Sequence, residues 1–215
     1  NFKAANDGLD FKIYTAANAS YADIQSGNLD ISQNVPTSAL KTFTKDPKVN
    51  SYSKASSGIA AFTIPSNLEH FGGEEGVLRR QAISMAINRN NIVEKVLRGA
   101  AAAATDFTAP VIAGYAKDLD KDGVLGYSAD QAKQLWAQAD AINPWDGTFR
   151  LAYSTDSGSK QWVDAIVNSI KNVLGIDAQS YPFPTQKDFS GAVHDRTIDA
   201  AFVQGLQSDY PHPEG

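Results

Sequence analysis

The sequence predicts an α/β fold, on the basis of three observations. Stretches with apolar residues at alternate positions, which is typical of strands, occur at Leu9–Tyr14 and Phe149–Tyr153. Other segments place apolar residues three or four positions apart, as in Trp162–Leu174, which is typical of amphipathic helices. The two kinds of segment alternate along the 215 residues. This alternation favours a sheet with helices packed on its faces.

The first half of the chain is predicted to contain one short helix, two extended segments and one long helical region. The short helix covers about Ala19–Ser26 and ends at Gly27, because glycine is a common helix stop. Extended segments follow at Leu29–Ile31 and Gly58–Ile64. Apolar residues then recur at helical spacing from Val77 to Arg98.

The long helical region is interrupted by a polar run, Asn88–Asn91. We therefore expect two consecutive helices rather than one. Asn90 is the predicted N-cap of the second helix, since an Asn side chain can accept a hydrogen bond from a first-turn amide. Gly99 is the predicted end of that helix.

The second half of the chain predicts two amphipathic helices with clear end signals. Ser128–Gln131 is a capping box that opens a helix with Trp136 on its apolar stripe. The other helix carries Trp162 on its stripe and ends at Gly175. Because both tryptophans lie on helical stripes, we expect them in the core rather than on a ligand surface. The remaining predicted elements are the strands Phe149–Tyr153, Ile176–Tyr181 and Ala200–Val203 and a short helix over Gln186–Val193.

Composition excludes several classes of protein. Hydrophobic residues make up 42% and charged residues 20%, which is typical of a folded globular chain rather than a disordered one. The chain has 19 basic and 24 acidic residues, a balance that argues against a nucleic-acid partner. No apolar run approaches the roughly 20 residues that a membrane-spanning helix needs. The absence of cysteine excludes disulfides, thiolate metal sites and a cysteine nucleophile.

Motifs for catalysis are also missing. The sequence contains no dinucleotide-binding glycine motif, P-loop, zinc-protease helix or nucleophile elbow. His70, His194 and His212 are far apart in sequence, and we expect surface or loop histidines. A hydrolase that gathers Asp209, His212 and a serine in space remains an alternative, because triads are defined by geometry.

One acidic segment resembles the start of a calcium-binding loop. Asp118, Asp120 and Asp122 alternate and are followed by Gly123, as oxygen ligands before a sharp turn would be. At the twelfth position Ala129 stands where an EF-hand has glutamate. The segment is therefore either a structural calcium site or an acidic surface turn. We expect no other cofactor.

Four segments carry recognisable patterns in a fixed order: Ile24–Ile31, Arg80–Arg89, Leu174–Asp177 and Ile198–Pro213. They are similar, in turn, to L-x-x-G-x-[IL]-D-[IV], to the helix R-Q-A-[LI]-x-x-A-I-[DN]-R, to L-G-I-x, and to a strand and loop with F-D…D-Y-x-x-P. Together they resemble the extracytoplasmic solute-binding proteins of peptide-type ABC transporters, over nearly all of the chain.

The resemblance implies one lobe of a type II periplasmic-binding-protein fold, with a mixed sheet flanked by helices. We expect residues 1–215 to form a single α/β lobe of a longer two-lobed protein. No signal peptide is visible, and the chain ends abruptly at Pro213–Gly215. The resemblance also implies an extracytoplasmic, lipid-anchored protein, and we expect a monomer.

The function implied by the resemblance is not enzymatic. Such a protein binds short peptides in a cleft between two lobes and delivers them to an ABC permease in the membrane. The family also includes binders of oligosaccharides, opines and metal chelates, so these ligand classes stay open. A peptide-sensing receptor that uses the same lobe is a further alternative.

The strongest candidate site residues follow from the resemblance near the end of the chain. Asp209 aligns with the acidic residue that pairs with the α-ammonium group of a peptide, and a turn cap before Pro211 is its alternative role. The backbone of Gly205, Leu206 and Gln207 aligns with a strand end that hydrogen-bonds an extended peptide. The family often has tryptophan where this chain has Leu206.

Two polar loops are further candidates. Thr155 and Asp156 follow a predicted strand, and α/β sheets bind ligands at the carboxyl ends of their strands. Phe107 lies in the segment Thr105–Thr108, which aligns with a cleft-lining loop of the family. For both loops, an ordinary solvated surface is the competing interpretation.

Overall fold

The computed structural model describes residues 5, 7–33, 35–116, 119 and 123–207. The chain divides into two compact units, Asn1–Lys54 and Ala55–Gly215. The acidic segment with Asp118, Asp120 and Asp122 lies outside the described residues, and so does Asp209. Their roles stay predictions, as does the single lobe expected for residues 1–215.

The first unit contains one helix, α1, over Ala17–Ser26, and two short 3-10 turns at Thr37–Ala39 and Phe43–Lys45. The predicted end of α1 is confirmed, because Gly27 takes the left-handed conformation at φ +77°. Asp46 fastens the helix from the side, since its carboxylate accepts hydrogen bonds from Tyr21 Oη at 3.2 Å and Gln25 Nε2 at 2.5 Å.

The strand predicted at Leu9–Tyr14 is not formed, nor is an extended strand formed at Leu29–Ile31. Leu9, Phe11 and Ile13 are 72%, 84% and 95% exposed. A strand needs a neighbouring strand for its backbone hydrogen bonds. Within the described residues up to Lys54 no strand is present to supply them.

The second unit is built on a four-stranded mixed sheet. Its strands are β1 (Gly58–Thr63), β2 (Phe149–Ser154), β3 (Ala178–Phe183) and β4 (Ala201–Gln207). Their order is β1-β4-β2-β3. β2 is parallel to both β3 and β4, whereas β1 is antiparallel to β4. The predicted strands are confirmed, with β3 beginning two residues later than expected.

Five helices of the second unit accompany the sheet: α2 (Gly73–Ala86), α3 (Arg89–Asn91), α4 (Ala129–Ile142), α5 (Lys160–Leu174) and α6 (Gln186–His194). The single turn α3 continues as a π-helical turn over Ile92–Val96. Each predicted helix is present. Among the described helices, none is both long and apolar enough to cross a membrane.

Helix ends agree with the prediction at most positions. The first helix of the long region begins four residues earlier than expected, at Gly73. The predicted N-cap Asn90 is wrong, because Asn88 accepts the hydrogen bond from the Asn91 amide at 3.0 Å. Ser128 caps α4 by accepting from the Gln131 amide at 3.4 Å, as predicted. The amide of Ser128 donates to Met85 O at 3.0 Å, which ties α4 to the end of α2.

The core lies on the face of the sheet covered by α2, α4 and α5. Phe149, Leu151 and Tyr153 alternate along β2 and are all buried there. Trp136 is buried in this core and Trp162 packs against it half-buried, so both predicted core positions are confirmed. The opposite face has a smaller core, in which Phe189 of α6 packs with Ala152 and Ala200.

Candidate ligand-binding site

The second half of β4 extends past the centre of the sheet. β2 pairs with β4 only through Leu151 with Ala201 and Ala152 with Phe202. In contrast, every residue of β1 pairs with β4, from Thr63 opposite Phe202 to Gly58 opposite Gln207. One edge of residues 203–207 is therefore occupied by β1, while the other edge pairs with no strand in the described part of the chain. An edge of this kind is a template for another extended chain.

The three predicted backbone positions lie on this extension and are exposed. Gly205 is surrounded by open space, because a Cβ atom placed there would have no atom within 4 Å. Leu206 stands opposite Ile59 across the strand pair and is 43% exposed. A hydrogen bond of 2.6 Å from Thr63 Oγ1 to Gln204 Oε1 fastens the two strands just before this segment.

Thr155 and Asp156 lie in a 3-10 turn that begins directly after β2. Thr155 Oγ1 donates to Pro184 O at 2.8 Å. Asp156 Oδ2 accepts from the amide of Gln186 at 3.0 Å, at the first residue of α6. Both side chains thus tie the end of β2 to the connection between β3 and α6.

The structure brings these two predicted groups to the same end of the sheet. β2 and β4 are parallel, with Ala152 opposite Phe202. Thr155 follows Ala152 by three residues, and Gly205 follows Phe202 by three residues in the same direction. A ligand paired with the edge of β4 would therefore lie near the turn after β2.

Phe107 is 76% exposed, in the loop that precedes α4. Asp106 beside it is buried and organises the loop: its carboxylate accepts from Thr108 Oγ1 at 2.7 Å and from the Ala116 amide at 3.2 Å. Burial alone would raise the pKa of Asp106, but these hydrogen bonds outweigh it and hold the pKa below its usual range. Among the described contacts, no hydrogen bond or ring contact joins Phe107 to the strand ends.

His70 is a loop histidine, one of the two kinds of position expected from the sequence, but it is buried. This loop residue is only 8% exposed, and its Nδ1 and Nε2 atoms lie 2.7 Å from Glu75 Oε1 and 3.1 Å from Asp146 Oδ1. Glu75 also accepts from Nε of the fully buried Arg79 at 2.8 Å. The only sequence signal for this cluster was the four-residue spacing of Glu75 and Arg79.

The hydrolase alternative depends on Asp209 and His212, which lie outside the described residues, so it stays a prediction. Over residues 5–207, apart from the undescribed positions, neither His70 nor His194 is hydrogen-bonded to a serine or threonine hydroxyl. In that same described portion, no three His, Asp or Glu side chains come together as a metal site.

Comparison with known families identifies the chain. Residues 1–215 match the family model described as bacterial extracellular solute-binding proteins, family 5 Middle. The chain belongs to this family. The resemblance given by the four sequence patterns is thereby confirmed, and the family is one of solute-binding proteins rather than enzymes.

Curated relatives share about a quarter of their residues with the chain. The oligopeptide-binding protein AppA of Bacillus subtilis is 27% identical over 184 residues, which is 81% of this chain and 33% of AppA. The dipeptide-binding protein DppE of the same species is 26% identical over 181 residues. Heme-binding protein A of Haemophilus influenzae is 27% identical over 143 residues, 66% of this chain and 25% of that protein.

Solved structures confirm the fold of a periplasmic binding protein. A periplasmic oligopeptide-binding protein of Borrelia burgdorferi superimposes with a TM-score of 0.76 at 22% identity, covering 94% of this chain and 39% of that one. The murein tripeptide binding protein MppA of Escherichia coli gives a TM-score of 0.73 at 21% identity, covering 91% of this chain and 38% of MppA. The chain thus spans about a third or less of its curated relatives and about two-fifths of these structures.

Proposed function

We propose that the protein containing this chain is the substrate-binding component of an ABC importer and that it binds short peptides. The observation that carries the proposal is the end of β4, where residues 203–207 offer a strand edge beside the open space at Gly205. An extended peptide suits such an edge because its main chain can pair as an added strand. Family membership and relatives named as oligopeptide- and dipeptide-binding proteins support this ligand class.

Recognition of the peptide combines main-chain pairing with one charge. Gly205, Leu206 and Gln207 pair with the ligand backbone, which is common to all peptides, so many sequences are accepted. The carboxylate of Asp209 binds the α-ammonium group at the ligand's N-terminus through a charge-assisted hydrogen bond, which strengthens when closure removes water.

The flanking candidate residues shape the cleft. Thr155 and Asp156 border the ligand at the end of β2, where their hydrogen bonds keep the turn in place. Leu206 supplies an aliphatic surface to a ligand side chain. Phe107, exposed on its loop, contributes an aromatic contact to the ligand.

The protein acts outside the cytoplasm as a lipid-anchored monomer. Two lobes close over the peptide by a hinge motion, and the closed form is presented to the permease. No catalytic step and no cofactor are needed for this role. A calcium ion at Asp118, Asp120 and Asp122 would be structural, and addition of calcium with and without a chelator tests for it by thermal shift.

A second ligand class is favoured by one observation, the similarity to a protein named as heme-binding. Heme is a metal chelate, and so falls in a class that the sequence left open. It would need a broad apolar surface rather than a strand edge, and it would not require the carboxylate of Asp209.

A thermal-shift screen of the intact protein tests the proposal. Mixed short peptides, oligosaccharides and hemin are added separately, since a ligand at 100 times its Kd stabilises a protein by about 2.7 kcal/mol. We expect a shift with peptides that Asp209→Asn removes and that Asp195→Asn, the same change at an exposed position, retains. A shift with hemin or oligosaccharides but not with peptides would overturn the proposal.

A further inference from the structure

Both ring nitrogens of His70 face carboxylates. Nδ1 lies 2.7 Å from Glu75 Oε1, and Nε2 lies 3.1 Å from Asp146 Oδ1. A neutral imidazole carries one N–H and can donate to only one of these oxygens, whereas an imidazolium donates to both. The geometry therefore fits the protonated ring.

The two carboxylates belong to different segments. Glu75 is in the first turn of α2, and Asp146 is in the loop Asn143–Thr148 that connects α4 to β2. His70 precedes α2 and holds a left-handed backbone conformation at φ +66°. Its ring thus links the start of one helix to the loop that leads into the central strand.

A second set of contacts surrounds this link. Arg79 of α2 donates to Glu75 Oε1 at 2.8 Å, to Asp140 Oδ1 at 3.1 Å and to Asn143 O at 2.7 Å. Asn143 Nδ2 lies 3.1 Å from His70 Nδ1 and donates to Glu75 Oε2 at 3.4 Å; when Nδ1 is protonated the amide serves Glu75 alone, because two donors do not pair. Among the described residues, the polar groups that face His70 are thus two carboxylates, one guanidinium beyond Glu75 and one amide.

A pocket of about 170 Å³ adjoins the same loop. His70, Phe71, Trp145, Gly147 and Thr148 are among its lining residues. The ring of Trp145 packs against that of His70, with centroids 4.9 Å apart. Movement of the loop would therefore change the wall of this pocket.

We propose that His70 is a pH-dependent latch: its protonated ring holds the loop Asn143–Thr148 against the start of α2, and loss of one proton to solvent releases the loop at Asp146. This inference does not depend on the proposed function. It assigns a conformational role to a histidine for which ligand binding offers no explanation.

The release occurs at Asp146 rather than at Glu75. The side chain of Asp146 is 83% exposed, so water can solvate its carboxylate once the bond is lost. The side chain of Glu75 is 13% exposed and is held in place by Arg79 Nε at 2.8 Å, so an unprotonated Nδ1 would face its oxygen at 2.7 Å with no proton between the two atoms. The one remaining N–H of neutral His70 therefore stays with Glu75.

The direction of the pH dependence follows from the raised pKa of His70 in the folded protein. Burial alone would lower the pKa of His70, but its hydrogen bonds to Asp146 and Glu75 raise the pKa above the ordinary value of 6.5. A group whose pKa is raised on folding contributes its full stabilisation below the unfolded pKa. The latch is thus complete below pH 6.5 and is lost as the pH rises through the higher pKa of the folded protein.

Hydrogen exchange of the backbone amides in Asn143–Thr148 tests the latch in the intact protein. Rates are measured over a pH series that begins at about pH 5.5, below the ordinary histidine pKa, and each is corrected for the intrinsic pH dependence of exchange. We expect protection of this loop to fall by about threefold or more towards the upper end of the series, the effect of losing one partly exposed charged bond.

Three variants make the result specific. His70→Asn should abolish the pH step, and Asn tolerates the left-handed backbone at this position. Asp146→Asn should also flatten the profile, and it alters an exposed side chain, so the fold is retained. His194→Asn, a matched change at an exposed histidine, should leave the step intact. A full pH step that persists in His70→Asn or in Asp146→Asn would overturn the proposal.

Discussion

Arg79 shows how one side chain can hold several elements together. Its guanidinium group is fully buried and contacts the rings of both Trp136 and Trp145, whose centroids lie 4.4 and 5.1 Å from Cζ. It also donates to Glu75 and Asp140. A planar, delocalised cation can stack and hydrogen-bond at the same time, which an ammonium group cannot do.

We expect Arg79→Lys to lower the free energy of unfolding by about 3 kcal/mol, because the change breaks a buried, hydrogen-bonded ion pair and its ring contacts. Urea denaturation measures this loss. Arg98→Lys, at an exposed position, is the control and should change stability by less than about 0.5 kcal/mol. Equal stability of Arg79→Lys and the control would contradict the role given to Arg79.

Gly205 is a second residue at which we predict the effect of a substitution, here on peptide binding rather than on stability. A side chain at this position meets open space in the free protein, and its backbone is not in the left-handed region. Valine suits a strand, so Gly205→Val should leave stability unchanged or slightly raised. The added methyl groups would nevertheless obstruct a peptide that pairs with β4.

We expect Gly205→Val to weaken peptide binding at least tenfold, or about 1.4 kcal/mol. Calorimetric titration gives the Kd, and urea denaturation shows that the fold is retained. Ala61→Val, on β1 and opposite Gln204, is the matched control that should bind normally. Unchanged peptide affinity in Gly205→Val would show that the ligand does not approach this part of β4.

At the scale of secondary-structure elements, the turn after β2 is hydrogen-bonded to the connection between β3 and α6 and to the start of α6. Thr155 bonds Pro184 O, and Asp156 accepts from the first amide of α6. α6 is also capped from its own chain, since Thr185 Oγ1 accepts from the Asp188 amide at 3.1 Å. The amides at this helix start are therefore used within the protein.

Asp156→Ala should destabilise the protein by about 1 kcal/mol, as expected for loss of a helix-capping acceptor. Asp156→Asn should cost less, because the amide oxygen can still accept from Gln186. Thermal unfolding compares the two, with Asp195→Ala as the control. If Asp156→Asn abolishes peptide binding while keeping stability, Asp156 contacts the ligand directly and fastening the turn is not its main role.

Local signals account for what could be predicted at the element scale. The ends of α1 and α5 at Gly27 and Gly175 depend on the conformation of one residue, and the cap at Ser128 depends on its own side chain and a backbone amide three residues away. A helix supplies its own backbone partners, so its sequence is sufficient. The Leu9–Tyr14 segment has the pattern of a strand but no partner among the described residues of its unit, so the pattern alone was misleading.

At the scale of the whole molecule, long-range pairing was the part that the sequence could not specify. β1 and β4 lie side by side, and the bond between Thr63 and Gln204 joins residues 141 positions apart. His70 and Asp146 are separated by 76 positions. No local periodicity reports such contacts, because they depend on how the elements pack. The candidate residues on β4 were found only through the family resemblance.

The contribution of this chain to function also has to be judged at the scale of the whole molecule. It supplies a sheet whose strand ends carry the candidate binding residues, and it spans only a third or less of its curated relatives. A peptide enclosed between two lobes loses far more contact with water than one on a single surface, and tight binding depends on that burial. The intact protein is therefore the right material for binding studies.

The most direct test of the account is calorimetric titration of the intact protein with a short peptide and with the same peptide N-acetylated. Acetylation removes the ammonium group and leaves the main chain that pairs with β4. We predict that the free peptide binds and that acetylation weakens binding at least tenfold, or about 1.4 kcal/mol. Absence of binding to free peptides, together with binding of oligosaccharide or hemin, would contradict peptide recognition by this protein.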